Sequence, residues 1–177
     1  MSRSPLIAGL VLVSACLVSV QHSQAASAVP ARLEAPQFDP AVGWHLRRGI
    51  VHACPGVSAS RCSQVTSTAS TTRWRDCLNC LPHRTVAGMS WGGIGIQITL
   101  AVEHPIRARR TFAWPPHITR RNVHAGFEGL PGRIGVFQGQ TRVGTHEVFI
   151  FVVFGRAVPT GRQLNRANAE LQRARLA

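Results

Sequence analysis

The chain contains no lysine and no tyrosine, and it has few acidic residues. All 20 basic residues are arginines, against 7 aspartates and glutamates, which gives a formal net charge of +13. The absence of lysine and tyrosine is typical of GC-rich coding sequence, so the abundance of arginine alone does not indicate a guanidinium-specific role. The shortage of negative charge does have a physical consequence, because a surface this positive attracts polyanions.

The sequence also lacks an apolar run long enough to span a bilayer. Its longest run covers residues 6–20, whereas a membrane-spanning helix needs about 20 apolar residues. A single positive charge at Arg3 precedes this run and a small polar stretch follows it. That organisation is typical of an export signal, and we predict a signal peptide over residues 1–28.

The site of signal cleavage decides where the mature chain is found. Small residues at the required spacing predict cleavage after Ala25 or Ala28 and release as a periplasmic or secreted protein. The alternative is a lipobox at residues 13–16, in which Cys16 is lipidated and anchors the protein to the envelope.

Cysteine is scarce, and its placement agrees with export. Of the five cysteines only Cys16 lies in the signal, which leaves an even set at Cys54, Cys62, Cys77 and Cys80. In an oxidising compartment such a set predicts two disulfides, with all three pairings open. The alternative is a zinc site, because the last pair has the C-x-x-C spacing of half a zinc ribbon. The seven residues between Cys54 and Cys62 do not fit that spacing.

We predict a flexible tether over residues 29–44 and one domain over residues 45–177. Three prolines spaced through the first segment favour an extended chain. The remaining length suits one hydrophobic core rather than two.

The fold class predicted is α+β, with a small antiparallel sheet, a disulfide-braced N-terminal region and a C-terminal helix. Residues 94–103 alternate apolar with small or polar side chains, which predicts a strand with one buried face. A run of residues 148–154 that is apolar on both faces predicts a central strand. The sheet is expected between about residues 86 and 154.

A hairpin and a helix complete the prediction. Residues 133–138 and 146–154 favour strands, and the glycines of residues 139–144 favour a turn between them. Residues 160–177 read as a helix in which Thr160 is the cap.

Two motifs suggest catalysis, and neither has the context it needs. Ser90 lies in a G-x-S-x-G motif, with Glu128 and His146 as candidate triad partners, but no helix is expected after the serine. Cys77 and Cys80 have the spacing of a thiol-disulfide oxidoreductase without a following helix. We predict no catalytic residue. The alternative is a small exported enzyme, either a hydrolase that uses Ser90 or an oxidoreductase that uses this cysteine pair.

Metal and cofactor sites are not indicated. The sequence has no H-E-x-x-H motif, its eight histidines show no recognised ligand spacing, and acidic ligands are few. We therefore predict neither a metal site nor a cofactor.

The strongest binding signal is a segment that interleaves arginines with aromatic rings. Guanidinium groups can form bidentate contacts with phosphate or carboxylate, while the rings can stack on bases or sugars or insert at a membrane surface. The alternative is that both rings pack on the core and the arginines only solvate a loop. The candidate polyanion-binding residues are Arg107, Arg109, Arg110, Phe112, Trp114, Arg120 and Arg121.

These features predict an exported, non-enzymatic basic protein of the bacterial envelope or secretome. Its expected partner is an anionic polymer or membrane surface, namely nucleic acid, lipopolysaccharide or anionic lipid. A protein partner in an envelope assembly, such as a secretion or conjugation apparatus, is also open. No motif is specific enough to indicate a family.

Overall fold

Six antiparallel strands form one sheet in the computed structural model, which describes residues 34–53, 63–74, 81–102, 112–144 and 146–176. The strands are β1 (His45–Ala53), β2 (Ser63–Ser70), β3 (Ile94–Val102), β4 (His124–Phe127), β5 (Leu130–Val143) and β6 (His146–Phe154). Their spatial order is β1-β2-β3-β6-β5-β4. The helices among these residues are α1 (His83–Ala87), a 3-10 turn (Arg120–Asn122) and α2 (Gly161–Arg173).

The predicted antiparallel sheet with a C-terminal helix is confirmed, and the described part of the chain is mostly β. The predicted disulfide bracing involves Cys54, Cys62, Cys77 and Cys80, which all lie outside the described residues. The predicted signal peptide and the lipidation site at Cys16 lie outside them as well.

Strands β3 and β6 form the centre of the sheet. They pair in register, with Ile98 opposite Ile150. The prediction of β6 as a central strand is confirmed. For β3 the expectation of a single buried face is wrong, because Gln97 and Thr99 on its other face are also buried. The reason is its position between β2 and β6, where neighbouring strands and both layers exclude water.

Helix α2 covers one face of the sheet. Leu164, Ala167 and Leu171 pack against a cluster of buried residues that includes Ile96 and Ile150. Thr160 caps the helix as predicted: its hydroxyl accepts from the Gln163 amide at 3.2 Å, and the Gln163 side chain accepts from the Thr160 amide at 3.0 Å. This reciprocal capping box satisfies backbone donors that the first turn leaves unpaired.

The opposite face carries a second cluster under α1. Val86 of that helix packs with Trp74, Ile134 and Val153. The indole of Trp74 lies against Gly95, where a Cβ would come within 2.1 Å of the ring. The sheet is therefore covered on both faces.

Strands β1 and β2 were not predicted. Serine and threonine fill β2, so its sequence resembles a loop, yet Thr66, Ser67 and Thr68 are buried. The hydroxyl groups of Thr66 and Thr99 are 2.9 Å apart and form a hydrogen bond between β2 and β3. Cross-strand pairing of this kind stabilises a polar strand that has no apolar alternation.

The predicted hairpin exists, but its turn is elsewhere. Residues 139–143 belong to β5, and Gly139 pairs with Ile150. The chain reverses beyond Val143, where Gly144 has a positive φ of 57°. A glycine is required at position 139 for packing and not for a turn, because a Cβ there would lie 2.3 Å from the Phe112 ring.

Of the segment predicted as a tether, residues 29–44, the structure describes residues 34–44. Phe38 is only 1% exposed and belongs to the core under α2. Its neighbour Gln37 pairs with Arg175 through two backbone hydrogen bonds of 2.9 and 2.8 Å. This pairing holds residues 174–176 in an extended conformation, so α2 ends at Arg173 rather than at the predicted residue 177.

Candidate anion-binding surface

The two aromatic rings of the predicted binding segment pack on the protein. Phe112 is half-buried, and its ring centre lies 6.0 Å from that of Phe137. Trp114 is also half-buried against the core cluster under α2. Both rings therefore contribute to the core, which agrees with the alternative weighed for them.

The arginines of the same segment fall into two groups. Arg107, Arg109 and Arg110 lie outside the described residues. Arg120 and Arg121 are exposed in the 3-10 turn. The Arg120 Nε donates to the carbonyl oxygen of Pro159 at 3.2 Å, which places this arginine beside the loop that leads into α2.

Two loops meet at this end of the sheet. The amide of Gly155, after β6, donates to the carbonyl of Gly93, before β3, at 3.0 Å. The buried side chain of Gln163 donates to the carbonyls of Trp91 and Gly93, at 3.0 and 3.3 Å. Helix α2 thus holds residues 91–93 against the loop that follows β6.

An exposed indole and three arginines surround the junction of these loops. Trp91 is 66% exposed, and the guanidinium carbon of Arg156 lies 5.4 Å from its ring centre. That distance is within the range of a cation–π interaction. Trp91 and Arg156 line an open cavity of about 350 Å³. The rest of its lining consists of Gly92, Thr160, Arg162, Gln163 and Arg166. We call Trp91, Arg120, Arg156, Arg162 and Arg166 the basic surface.

The basic surface has positive charge without nearby compensation. No carboxylate lines the cavity, and within the described ranges none of its arginines forms an ion pair. Arg162 lies in the first turn of α2, which contains no acidic residue. Because the helix dipole is positive at that end, the arginine adds its positive charge to a region that is already positive. The arrangement favours a bound anion.

A larger cavity of about 460 Å³ lies between β1, β2 and the segment after β2. Arg47, Arg73 and His45 line it together with the indoles of Trp44 and Trp74, and none of its lining residues is acidic. Uncompensated positive charge therefore occurs outside the basic surface as well.

Among the described residues, the two candidate triad partners of Ser90 lie apart from it. Ser90 lies next to the end of β6 at Gly155, whereas His146 begins that strand. The two residues are thus separated by the length of β6, about 27 Å at the usual rise per residue. Glu128 is exposed in the turn between β4 and β5. The motif instead forms a turn into β3, the alternative that its sequence context favoured.

The structure leaves the candidate thiol pair undescribed, whereas candidate metal ligands can be compared among the described residues. Cys77 and Cys80 lie outside the described residues. In the part of the chain that the structure describes, no three His, Cys, Asp or Glu side chains are grouped so as to hold a metal ion. Neither described helix has the length and apolarity needed to cross a bilayer.

Comparison with protein-family models, curated proteins and solved structures found no match to this chain. The residues of the basic surface are therefore the basis for inferring a function. Sequence reasoning found Arg120 and missed the others. The i, i+4 spacing of Arg162 and Arg166 on a capped helix was the available local signal.

Proposed function

We propose that this protein is an exported, non-enzymatic basic protein that binds an anionic partner of the cell envelope or secretome through its basic surface. One observation carries the proposal. Arg156, Arg162 and Arg166 line one cavity with the exposed Trp91 and with no carboxylate.

The chemistry of these groups suits an anion that carries several charged oxygens. A guanidinium can donate two parallel hydrogen bonds to a phosphate or carboxylate. Arg162 and Arg166 are one helical turn apart on α2 and line the same cavity, and the guanidinium carbon of Arg166 also lies 5.9 Å from the centre of the Trp44 ring. Binding a polyanion there releases its condensed counterions, which adds a favourable and strongly salt-dependent contribution to affinity.

The segment predicted from the sequence joins this surface at one point. Arg120 contacts Pro159, directly before the cap residue Thr160 of α2. Arg121 is exposed beside Arg120, and Arg107, Arg109 and Arg110 lie outside the described residues. All four stay in the proposal as residues of the predicted polyanion-binding segment.

A pair of charge-matched variants tests the proposal. Arg156→Gln with Arg162→Gln removes two charges from the basic surface, whereas Arg142→Gln with Arg175→Gln removes two exposed arginines from elsewhere. The measurement is the affinity of the full chain for short duplex DNA, by fluorescence anisotropy over a series of NaCl concentrations. We expect the first pair to make the negative slope of log K against log [NaCl] shallower by about 2, since each lost phosphate contact removes about 0.9 from its magnitude.

The control pair should leave the slope near that of the wild-type protein. Equal losses in both pairs would mean that net charge alone attracts the polyanion, which would contradict a defined surface. A third pair, Arg109→Ala with Arg110→Ala, tests the predicted segment in the same assay. If neither the first nor the third pair changes affinity and slope, the proposed function is wrong.

A further inference from the structure

We propose that the basic surface docks on an anionic lipid bilayer, with Trp91 and Val158 entering the headgroup layer. This inference rests on the proposed function and names the class of partner. Trp91 and Val158 lie in the two loops that meet at this end of the sheet, and both are largely exposed, at 66% and 64%.

Exposed apolar side chains of this size are rare in the described residues. Where the structure describes side-chain burial, the core buries the other large ones wholly or in part, and the remaining exception is Val42. Val158 follows Arg156 by two residues and precedes the α2 cap Thr160 by two. Two of the three large hydrophobic side chains that the structure describes as exposed are therefore Trp91, in the basic surface, and Val158, in the loop that carries Arg156.

This combination matches the chemistry of a bilayer surface. Tryptophan is enriched at membrane–water interfaces because its ring is apolar while its N–H is polar. Arginines at the same level contact lipid phosphates and are attracted by the negative surface potential. The cation–π contact between Arg156 and Trp91 keeps the guanidinium beside the indole ring. Both groups can therefore contact the same lipid headgroup.

The exposed valine favours a bilayer over a nucleic acid. Nucleic-acid binding without sequence preference uses arginines for the backbone and aromatic rings for the bases. An aliphatic side chain beside the arginines has no π face and gains little there. In the interfacial layer it loses contact with water, which is favourable in proportion to the apolar area buried.

Vesicle binding by the full chain tests this inference. Vesicles of phosphatidylcholine alone and of phosphatidylcholine with phosphatidylglycerol are compared by co-sedimentation and by tryptophan emission. Of the four tryptophans, Trp74 is buried and Trp44 and Trp114 are half-buried, so Trp91 dominates a shift in emission. We expect binding and a blue shift with the anionic vesicles only.

The variant Trp91→Ser with Val158→Ser removes the two apolar side chains proposed to enter the headgroup layer and keeps every arginine of the basic surface. We expect it to weaken partitioning into anionic vesicles by about tenfold, the effect of roughly two buried methylene groups. The single variant Val158→Ser, which keeps Trp91 and every arginine of the basic surface, should also weaken this partitioning but leave duplex DNA affinity unchanged. The matched control is Val42→Ser, which removes a fully exposed valine outside the basic surface and should partition like the wild type.

Two other outcomes are distinguishable. If the wild-type chain fails to bind anionic vesicles, or if the Trp91→Ser, Val158→Ser variant binds them as well as wild type, the bilayer inference is overturned. The proposed function survives that result when DNA binding still depends on Arg156 and Arg162. If neither ligand depends on those arginines, both proposals fail.

Discussion

Gly155 is the residue at which the geometry of the basic surface is most constrained. A Cβ at this position would lie 1.8 Å from the carbonyl oxygen of Ser90 and 3.3 Å from the Cα of Trp91. The neighbours are backbone atoms, which cannot rotate away as a side chain can. A glycine is therefore required for the loop after β6 to approach the turn that carries Trp91.

Gly155→Ala is expected to destabilise the protein by about 1–3 kcal/mol, the usual cost of overpacking a close contact. Urea unfolding followed by circular dichroism measures this free energy. Gly92→Ala in the same turn is the control, since a Cβ there meets no atom within 4 Å. Equal stability of the two variants would show that the loops separate without cost and would contradict the close approach.

Helix α2 is the element that links the core to the basic surface. Its buried stripe packs on the sheet, while its first turns carry Arg162 and Arg166. Its N-terminal end depends on the reciprocal hydrogen bonds of Thr160 and Gln163. The positions of both arginines therefore depend on how well this end of the helix is capped.

Thr160→Ala is expected to lower the free energy of unfolding by about 1 kcal/mol, because it leaves the Gln163 amide without its acceptor. Thr160→Ser keeps the hydroxyl and should retain most of the stability. Chemical denaturation of the two variants side by side gives the comparison. An alanine variant as stable as the serine variant would mean that the cap contributes nothing to folding.

At the level of whole elements, the predictions succeeded where local periodicity reflects burial. β3 and α2 carry apolar side chains at the spacing of a strand and a helix, so their sequences contain the signal. β2 does not, because its buried positions are filled by Thr66, Ser67 and Thr68. Their burial comes from pairing with β3, which lies far away in the sequence.

The whole molecule carries more positive charge than its fold can compensate. The formal net charge is +13, and both described cavities are lined by arginines without acidic residues. Compact folding brings these charges closer together than they are in the unfolded chain. Self-repulsion therefore opposes the folded state at low ionic strength.

The melting temperature is expected to rise when NaCl is increased from about 0.02 M to about 0.2 M, because the Debye length falls below about 10 Å over that range. Differential scanning calorimetry measures the shift. Glucose at matched osmolality is the control and should have a smaller effect. A melting temperature that stays constant or falls with salt would show that the repulsion is not significant in the folded protein.

The amino-acid sequence alone predicts the net charge, the alternation of β3, the apolar character of β6 and the capped C-terminal helix. Each of these is local, since it depends on residue types or on spacing within one segment. The other features depend on contacts that form only when the chain folds. The tertiary structure placed Phe38 in the core, packed the half-buried rings of Phe112 and Trp114 against it, and extended β5 through Gly139. It also brought Trp91 beside Arg156, a pair separated by 65 positions. Contacts between such distant positions leave no periodic pattern, so only the folded chain reveals the basic surface.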